Sequence, residues 1–343
     1  MAKLLATDET LLKVHASLEK IAGFVGAMAV DDVDTVISDP EKFHRLIQSG
    51  LAPEILSVGD QLIVPHTDYT NIVFDIIGFD YDADATGLND HSVTVQAHAI
   101  IDKLQFDARE NEVATEATFS ADYNYYVAGA DADHFVHLVA GTDYTVGAAI
   151  PSDKTYYHTA IEDSTGAIVR YGYNNWEHSA IRQWLNSDAA AGAWWEAKHL
   201  GDLAPAYAAT KDGFLKGLDA DFKSLIGTTK KVTAKNTITD GGGSVELVEK
   251  IFLLSQTEVS GGKNNSIAEG AAYDYYTRLV GAVTTAENVG RIKYDSTGAA
   301  AVWWLRDPNT GASYTPRYCG ASGYVYNYSA TYTGGVAPAC ILL

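Results

Sequence analysis

The 343-residue sequence has few basic residues, few cysteines and no long apolar run. Lys and Arg together number 24 against 44 Asp and Glu, which leaves a formal net charge of −20. Nucleic acids and anionic membrane surfaces both attract clustered positive charge, so this balance excludes them as expected partners. The simplest consequence of the acidity is that it keeps the protein in solution.

Two further absences bear on where the protein folds. No stretch approaches the roughly 18 consecutive apolar residues of a membrane helix, and the start, MAKLLATDE, lacks the apolar core of a signal peptide. We therefore expect no membrane insertion, and synthesis and folding in a cytoplasm. The only cysteines, Cys319 and Cys340, cannot form a disulfide framework, so two free thiols are expected.

Two polar patterns have part of a metal-ligand spacing but not a complete ligand set. Asp80, Asp82 and Asp84 alternate like the start of a calcium loop, yet the glycine and glutamate that such a loop needs are misplaced or missing. A solvated acidic loop is expected instead. His134 and His137 would point to opposite faces of a strand. The sequence therefore predicts no metal ion and no cofactor.

Residues 1–50 are predicted to form a helical segment for oligomerisation or attachment. Apolar residues recur there at alternating steps of three and four, which is the a/d pattern of a coiled coil. These residues are Leu11, Val14, Leu18, Ile21, Val25 and Met28. The seam predicts a homo-oligomer, a trimer in preference to a dimer, and the alternative is an amphipathic helix docked on its own domain. A second helix is predicted to begin after Asp39, with Pro40 in its first turn, and to end at Gly50.

The rest of the chain divides into two predicted domains. From residue 51 to 151 a period of two predicts a β-sandwich or barrel-like domain, with strands at 61–64, 71–79, 92–101, 118–127 and 134–139. Residues 152–343 begin with predicted helices at 176–187 and 213–227. Predicted strands follow at 230–239, 251–255, 301–305, 323–328 and 336–342. Helices followed by a run of strands indicate the α+β class.

The segment between Asp307 and Gly335 is unusually rich in Tyr, Ser, Thr, Gly, Ala and Asn. It contains no Lys, Glu, Gln, Leu, Ile, Phe or Trp, which is typical of an antibody paratope. The predicted strand 323–328 places alternate tyrosines on one face. The candidate ligand-binding residues are Ser313, Tyr314, Thr315, Tyr318, Tyr324, Tyr326, Asn327, Tyr328, Ser329, Thr331 and Tyr332. Ser313, Thr315 and all six tyrosines are expected to be exposed on one contiguous surface. Asn327, Ser329 and Thr331 are expected at its margin. A tyrosine-rich edge hairpin that covers an ordinary sandwich remains the alternative.

Apolar strands on both sides of this segment are expected to form a buried framework. Its predicted members are Trp303, Trp304, Leu305, Val336, Pro338 and Ile341. Arg306 and Arg317 are expected to fix turns by hydrogen bonds.

Six blocks of the C-terminal half resemble a domain found in phage and prophage proteins of gut bacteria. The blocks are SAIRQWLNS (179–187), GFLKGLD (213–219), NNSIAEG (264–270), RIKY (291–294), WWLR (303–306) and GVAPA (335–339). Such proteins are often variable proteins of diversity-generating retroelements. The resemblance covers about residues 152–343 and implies a C-type-lectin-like, or formylglycine-generating-enzyme-like, ligand-display domain. The region from about residue 47 to 151 resembles, more weakly, what precedes that domain.

The resemblance also carries an expectation about codons. Exchange of template adenines turns Asn codons into codons for Tyr, Ser, Thr, Asp, Gly, Ala or Cys, but not for Lys, Glu, Gln or Trp. The segment between Asp307 and Gly335 follows this exclusion. Asp307 stands where such proteins usually have Ser after the arginine, which leaves open whether Asp307 itself varies.

The function that the resemblance implies is that of a phage receptor-binding or adhesin-like protein without catalysis. Its hypervariable face would bind a protein or glycan on a bacterial cell surface. The protein would contact other virion proteins, and it would sit on a tail fibre or particle surface after assembly in the host cytoplasm. Two alternatives remain: a formylglycine-generating-type oxidase that uses Cys319 and Cys340, and a purely structural virion component whose tyrosine face packs on a partner subunit.

Overall fold

The computed structural model describes residues 39–130, 134–264, 266–280 and 288–343. The predicted heptad seam, from Leu11 to Met28, lies outside these residues. Within them the protein is of mixed α+β structure, with eight helices and eighteen strands mostly in antiparallel sheets, which confirms the expected class. None of the helices in this part of the chain has the length and apolar character needed to cross a membrane.

The helices are short, and several begin at a side-chain cap. They are α1 Pro40–Gln48, α2 Ala52–Ile55, α3 Ala167–Tyr171, α4 Ala180–Leu185, α5 Phe214–Gly217, α6 Ala220–Leu225, α7 Gln256–Ser260 and α8 Asp274–Val280. Helix α1 begins as predicted, because the Asp39 side chain accepts a hydrogen bond from the Lys42 amide. The single helix predicted over 213–227 is wrong. Leu218 has an extended backbone there, and the Asp219 side chain caps a new helix.

Three sheets and two two-stranded ribbons contain the strands. In chain order the strands are β1 Gln61–His66, β2 Thr70–Phe79, β3 Val93–Ala97, β4 Asp102–Gln105, β5 Glu112–Val113, β6 Asn124–Ala128, β7 Phe135–Leu138, β8 Tyr156–Thr159, β9 Thr229–Ala234, β10 Ser244–Glu249, β11 Ile251–Phe252, β12 Lys293–Tyr294, β13 Ala300–Ala301, β14 Trp303–Pro308, β15 Pro316–Cys319, β16 Val325–Asn327, β17 Thr333–Val336 and β18 Ala339–Leu342. The first sheet has the order β1-β2-β3-β18-β11 and the second has the order β16-β15-β14-β17-β4. The third has the order β5-β8-β6-β7, and the ribbons are β9-β10 and β12-β13.

Each of the two main sheets contains strands from both sides of the predicted domain boundary near residue 151. In the first sheet β3 pairs with β18, with Val95 opposite Cys340, and in the second β4 pairs with β17, with Leu104 opposite Gly334. Strand β3 is buried along its whole length and lies between β2 and β18, so the C-terminal strand supplies one of its two neighbours. Residues from both sides of the boundary share one apolar core. Residues 51–151 are therefore not a self-contained sandwich or barrel.

The predicted framework lies inside this shared core. Trp303, Leu305, Val336 and Ile341 are fully buried, and Trp304 is 1% exposed. Pro338 is buried as well. The expectation that these residues form the interior beneath the tyrosine-rich segment is confirmed.

Candidate functional site

A hairpin at the edge of the second sheet presents the tyrosine-rich segment. Strands β15 and β16 are antiparallel, with Tyr318 opposite Tyr326 and Cys319 opposite Val325. Because successive side chains alternate between the faces of a strand, Tyr318 and Tyr326 share one face. Cys319 and Val325 point to the other face, where both are buried. The hairpin therefore has one core face and one tyrosine face.

Five tyrosine rings cluster on the second face and form what we call the tyrosine platform. Its members are Tyr318, Tyr324, Tyr326, Tyr328 and Tyr332. The Tyr318 ring is central, with its centroid 6.0 Å from that of Tyr324 and 6.4 Å from those of Tyr326 and Tyr328. The rings of Tyr328 and Tyr332 lie 4.4 Å apart. Tyr326, Tyr328 and Tyr332 are 57%, 48% and 41% exposed, so three rings are available to a partner.

Trp304 supports the platform from below. Trp304 belongs to β14 and lies opposite Tyr318 of β15. Its ring centroid is 6.4 Å from that of Tyr318 and 6.3 Å from that of Tyr332. Its Nε1 donates a hydrogen bond to the carbonyl oxygen of Leu104 at 2.9 Å. A Cβ at Gly334 would lie 2.6 Å from the Trp304 ring, so only glycine leaves room for it. Trp304 was predicted as part of the buried framework, but its contacts with Tyr318 and Tyr332 were not, and their only local signal is the Gly334-Gly335 pair.

The expectation that Ser313, Thr315 and Tyr318 are exposed is wrong. Tyr318 is 7% exposed, because neighbouring rings cover it. Its hydroxyl lies 3.0 Å from that of Tyr324. The pKa of Tyr318 is raised, mainly by burial and in addition by this hydrogen bond. Ser313 is 2% exposed, and its Oγ donates to Oδ2 of the buried Asp163 at 2.6 Å. Thr315 is also buried. These side chains hold the segment in place.

The remaining candidates lie at the margins. Tyr314 is half-buried and packs on Tyr171 of α3, with 5.2 Å between ring centroids, so it does not join the platform rings. Asn327, Ser329 and Thr331 are half-buried. The structure thus brings together five of the six predicted tyrosines.

The turn of the hairpin shows that not every position of the segment tolerates substitution. Gly323 has φ +79°, and a Cβ there would lie 1.8 Å from the Asn288 carbonyl oxygen. The Gly323 carbonyl accepts a hydrogen bond from Nε of Arg291 at 2.7 Å. A left-handed backbone with no space for a side chain requires glycine. The segment therefore contains at least one position that must stay fixed, in addition to its exposed positions.

A pocket of about 300 Å³ adjoins the platform at Tyr332. Lys103, Ala321 and Thr333 also line it. The Lys103 ammonium is paired with Asp295 at 2.7 Å, so its charge is largely compensated. The platform and its rim therefore combine aromatic surface with polar groups and carry little net charge.

The acidic loop expected to be solvated is instead bonded to the protein. Asp82 accepts hydrogen bonds from the Tyr273 hydroxyl at 2.6 Å and from Thr94 at 2.9 Å, and it pairs with the buried Lys231. Asp84 is 7% exposed and accepts hydrogen bonds from neighbouring turn residues. Protein donors thus satisfy both carboxylates.

The two cysteines are free and buried in different sheets. Cys319 lies in β15 of the second sheet and Cys340 in β18 of the first. Burial raises the pKa of both thiols, although the nearby positive charges of Arg291 and Lys293 partly oppose the rise at Cys319. The protein brings these cations near Cys319 from distant positions in the sequence. This environment still favours the thiol over the nucleophilic thiolate.

Asp307, whose variability the sequence left open, is a buried contact of the framework. Its Oδ1 accepts a hydrogen bond from the backbone amide of Gln256 at 2.8 Å, in the first turn of α7. Its Oδ2 has no hydrogen-bond partner among the described residues. Burial raises the pKa of Asp307 to about 6, despite the hydrogen bond from Gln256 and the charges of Arg317 and Arg306. The ionised form is therefore disfavoured in the fold.

This environment predicts a pH-dependent effect of Asp307→Asn. A carboxyl group with a raised pKa in the fold destabilises the protein as pH rises from about 4, its unfolded value, to about 6. Asn keeps an acceptor for Gln256 but cannot ionise. We expect the variant to gain stability relative to wild type between pH 4 and pH 7, measured by urea denaturation. An equal difference in unfolding free energy at both pH values would contradict this assignment.

A known protein family matches the C-terminal half of the chain. The model of a domain of unknown function, DUF6273, matches residues 154–343. No curated protein and no solved structure matches the chain. The matched region contains the whole tyrosine platform and its Trp304 support, but not β3 and β4, which complete the two main sheets. Because the match covers more than half of its residues, the chain belongs to the DUF6273 family.

Proposed function

We propose that this protein is a receptor-binding or adhesin-like component of a phage particle. In this proposal the tyrosine platform contacts a protein or glycan on a bacterial cell surface, and the protein catalyses no reaction. The observation that carries the proposal is the set of three exposed tyrosine rings held on buried aromatic residues. Tyrosine provides a large amphipathic contact area at low entropic cost, and it is enriched among the residues that dominate binding energy.

The division between rigid support and exposed rings favours a surface that can change. Trp304 and Tyr318 are buried, whereas Tyr326, Tyr328 and Tyr332 project from them. Substitutions at exposed positions usually change stability by less than about 0.5 kcal/mol. New side chains can therefore replace the three exposed rings while the fold persists. This property supports the proposal that residues 152–343 form a C-type-lectin-like domain diversified by a retroelement.

Several features favour binding over catalysis. The platform carries hydroxyl groups but no charged group, and its central Tyr318 has a raised pKa. Both thiols of the oxidase alternative are buried, with raised pKa values. Neither environment supplies a general base or an activated nucleophile. In this proposal the platform binds its ligand without a cofactor.

The proposal also includes self-association through the heptad seam, with a trimer preferred. Several copies would present several platforms to one cell, which increases the apparent affinity without new contacts. Light scattering on the full chain and on a Leu18→Asp variant tests this part. Equal masses for the two proteins would remove the seam from the proposal.

The experiment that tests the proposed function most directly is to sequence the DNA around this gene. We expect a reverse-transcriptase gene nearby and an imperfect repeat of the 3′ end of the coding sequence. The two copies should differ mainly at adenines, and the differences should fall on codons for exposed residues such as Tyr326, Tyr328 and Tyr332. Codons for Gly323 and Trp304 should be identical. Absence of the repeat would refute diversification, and differences concentrated in the framework codons would refute the assignment of the platform.

A further inference from the structure

A second group of side chains lies apart from the platform and is here called the acid–histidine cluster: Glu110, His199 and Asp202. Glu110 follows β4, whereas His199 and Asp202 belong to the loop between α4 and the short 3-10 helix Ala206–Ala209. One potential ligand atom from each residue lies within 4.8 Å of the others. A fourth group, the carboxyl of Asp107, adjoins Glu110. The cluster thus joins two chain segments about ninety residues apart.

Glu110 is the most unusual member of this cluster. It is 0% exposed, and its carboxyl lies within hydrogen-bonding reach of the Asp107 carboxyl, but no amide, hydroxyl or cationic group of the described residues donates to either of its oxygens. Oε2 lies 3.4 Å from Nδ1 of His199, which also makes no hydrogen bond. Buried polar atoms are nearly always paired, because an unpaired one costs about 1–3 kcal/mol. Three such atoms in one cluster indicate a missing partner.

The charges of the cluster identify that partner as a cation. Asp107, Glu110 and Asp202 are all buried, and among the described residues no Lys or Arg side chain forms an ion pair with them. The Lys198 ammonium pairs with Glu196 at 3.0 Å, and the Lys198 backbone amide donates to Oδ2 of Asp202 at 2.8 Å. Asp107 accepts hydrogen bonds from the backbone amides of Ala108 and Ala180, and its carboxyl adjoins that of Glu110. Buried charges are normally paired or bound to a metal.

We propose that Glu110, His199 and Asp202 bind a divalent transition-metal ion. Two carboxylate oxygens and one imidazole nitrogen form a mixed ligand set that suits Zn²⁺ and its first-row neighbours better than Ca²⁺ or Mg²⁺, which prefer oxygen ligands alone. Nδ1 of His199 makes no hydrogen bond and lies beside Oε2 of Glu110, so it is available as the imidazole ligand. The ring of His178 is 6.0 Å from that of His199, and its Nδ1 is also unpaired, so His178 is the candidate fourth ligand.

The position of the site indicates a structural role. Glu110 lies outside the residues matched by the family model, and His199 and Asp202 lie inside them. A bound ion would therefore fasten the segment after β4 to the family domain. A cluster as buried as this one resembles a closed structural site more than an open catalytic one. The proposal does not depend on the function of the platform.

The test uses the full-length protein after removal of metal with a chelator. Titration with Zn²⁺ in a calorimeter should show one strong site per chain, and saturation with Zn²⁺ should raise the melting temperature. Glu110→Gln replaces the carboxylate by a neutral group of the same shape in a site that lacks a cation, so the variant is expected to fold. Glu110→Gln and His199→Gln should each weaken Zn²⁺ binding at least tenfold.

A matched control is His98→Gln. His98 also contacts a buried carboxylate, since its Nδ1 lies 2.9 Å from Oδ2 of Asp75. However, these two residues do not belong to a group of three potential metal ligands among the described residues. This variant should bind Zn²⁺ as wild type does. X-ray absorption of the zinc-loaded wild type should show nitrogen and oxygen ligands near ~2.0–2.2 Å, with imidazole present and sulfur absent. Absence of a strong site, unchanged binding in Glu110→Gln, or a sulfur ligand would overturn the proposal.

Discussion

Replacing Tyr326, Tyr328 and Tyr332 together by alanine is expected to abolish binding to bacterial cells while leaving the fold intact. All three rings are at least 41% exposed, so their removal takes little buried area from the core. Central aromatic residues of an interface each contribute ~2 kcal/mol or more, which corresponds to roughly a 30-fold change in affinity. Flow cytometry with labelled protein on a strain that binds the wild type measures the loss, and thermal denaturation measures the stability.

The choice of these three rings follows from the structure. Tyr324 belongs to the same face, but its ring lies over Gly320, where a Cβ would be 2.4 Å away, and its hydroxyl bonds that of Tyr318. Its removal would disturb the turn as well as the surface. Tyr332 takes its place because it is more exposed and its ring contacts that of Tyr328.

A matched control removes three exposed apolar side chains elsewhere. Ile63, Leu88 and Val248 are 66%, 86% and 55% exposed and lie outside the second sheet. The triple alanine variant of these residues should bind cells as the wild type does. If the platform variant unfolds, its rings belong to the core and the ordinary hairpin interpretation is correct. If it folds and binds normally, the platform is not the binding surface.

The largest loss of stability is expected from Arg306→Ala. Arg306 is fully buried at the start of the tyrosine-rich segment, and both carboxylate oxygens of Glu258 accept hydrogen bonds from its guanidinium group. The same group donates to the carbonyl oxygens of Leu253 at 3.0 Å and Glu269 at 3.1 Å. Glu258 also pairs with the buried Lys231 at 3.0 Å, so the variant keeps one cation beside it but loses the donors to both of its oxygens and to the two carbonyl groups. Removing one partner of a buried, hydrogen-bonded ion pair costs about 3–5 kcal/mol. Urea denaturation should show a correspondingly lower midpoint.

Two further variants make this prediction specific. Arg306→Lys keeps the charge but not the planar fork that bonds both oxygens of Glu258, so it should also lose much of the stability. Arg45→Ala is the matched control, because Arg45 forms an ion pair with Glu41 at 3.5 Å on the surface of α1. Exposed pairs of this kind contribute little. A midpoint for Arg306→Ala no lower than that for Arg45→Ala would refute the assigned role.

The contacts of Arg306 show why only part of the framework could be predicted from the sequence. The prediction that Arg306 fixes turns required no knowledge of its partners. Those partners come from α7, from the segment before it and from the loop before α8, and no local pattern connects them. Glu258 itself completes a capping box with Ser255, which is a local signal, but its ion pair with Arg306 is not.

The sequence by itself determined the features that depend on neighbours in the chain. Asp39 and Pro40 set the start of α1, and Gly50, with φ +71°, follows the C-cap residue Ser49, because capping and backbone preferences act over a few residues. The apolar strands around Trp303 and Val336 were predicted to be buried, because an uninterrupted apolar run has no solvent face. The enrichment in tyrosine is likewise evident from composition.

Only the tertiary structure decided which tyrosines are exposed and which acidic groups meet. Tyr318 and Tyr326 lie on the same face of the hairpin, but Trp304 and the surrounding rings bury Tyr318 and leave Tyr326 exposed. The pairing of β4 with β17 and the meeting of Glu110 with His199 join distant residues. Strand alternation reports which side chains share a face, but not what covers that face. Contacts between distant segments are decided by packing of the whole core, and they leave no periodic pattern in the sequence.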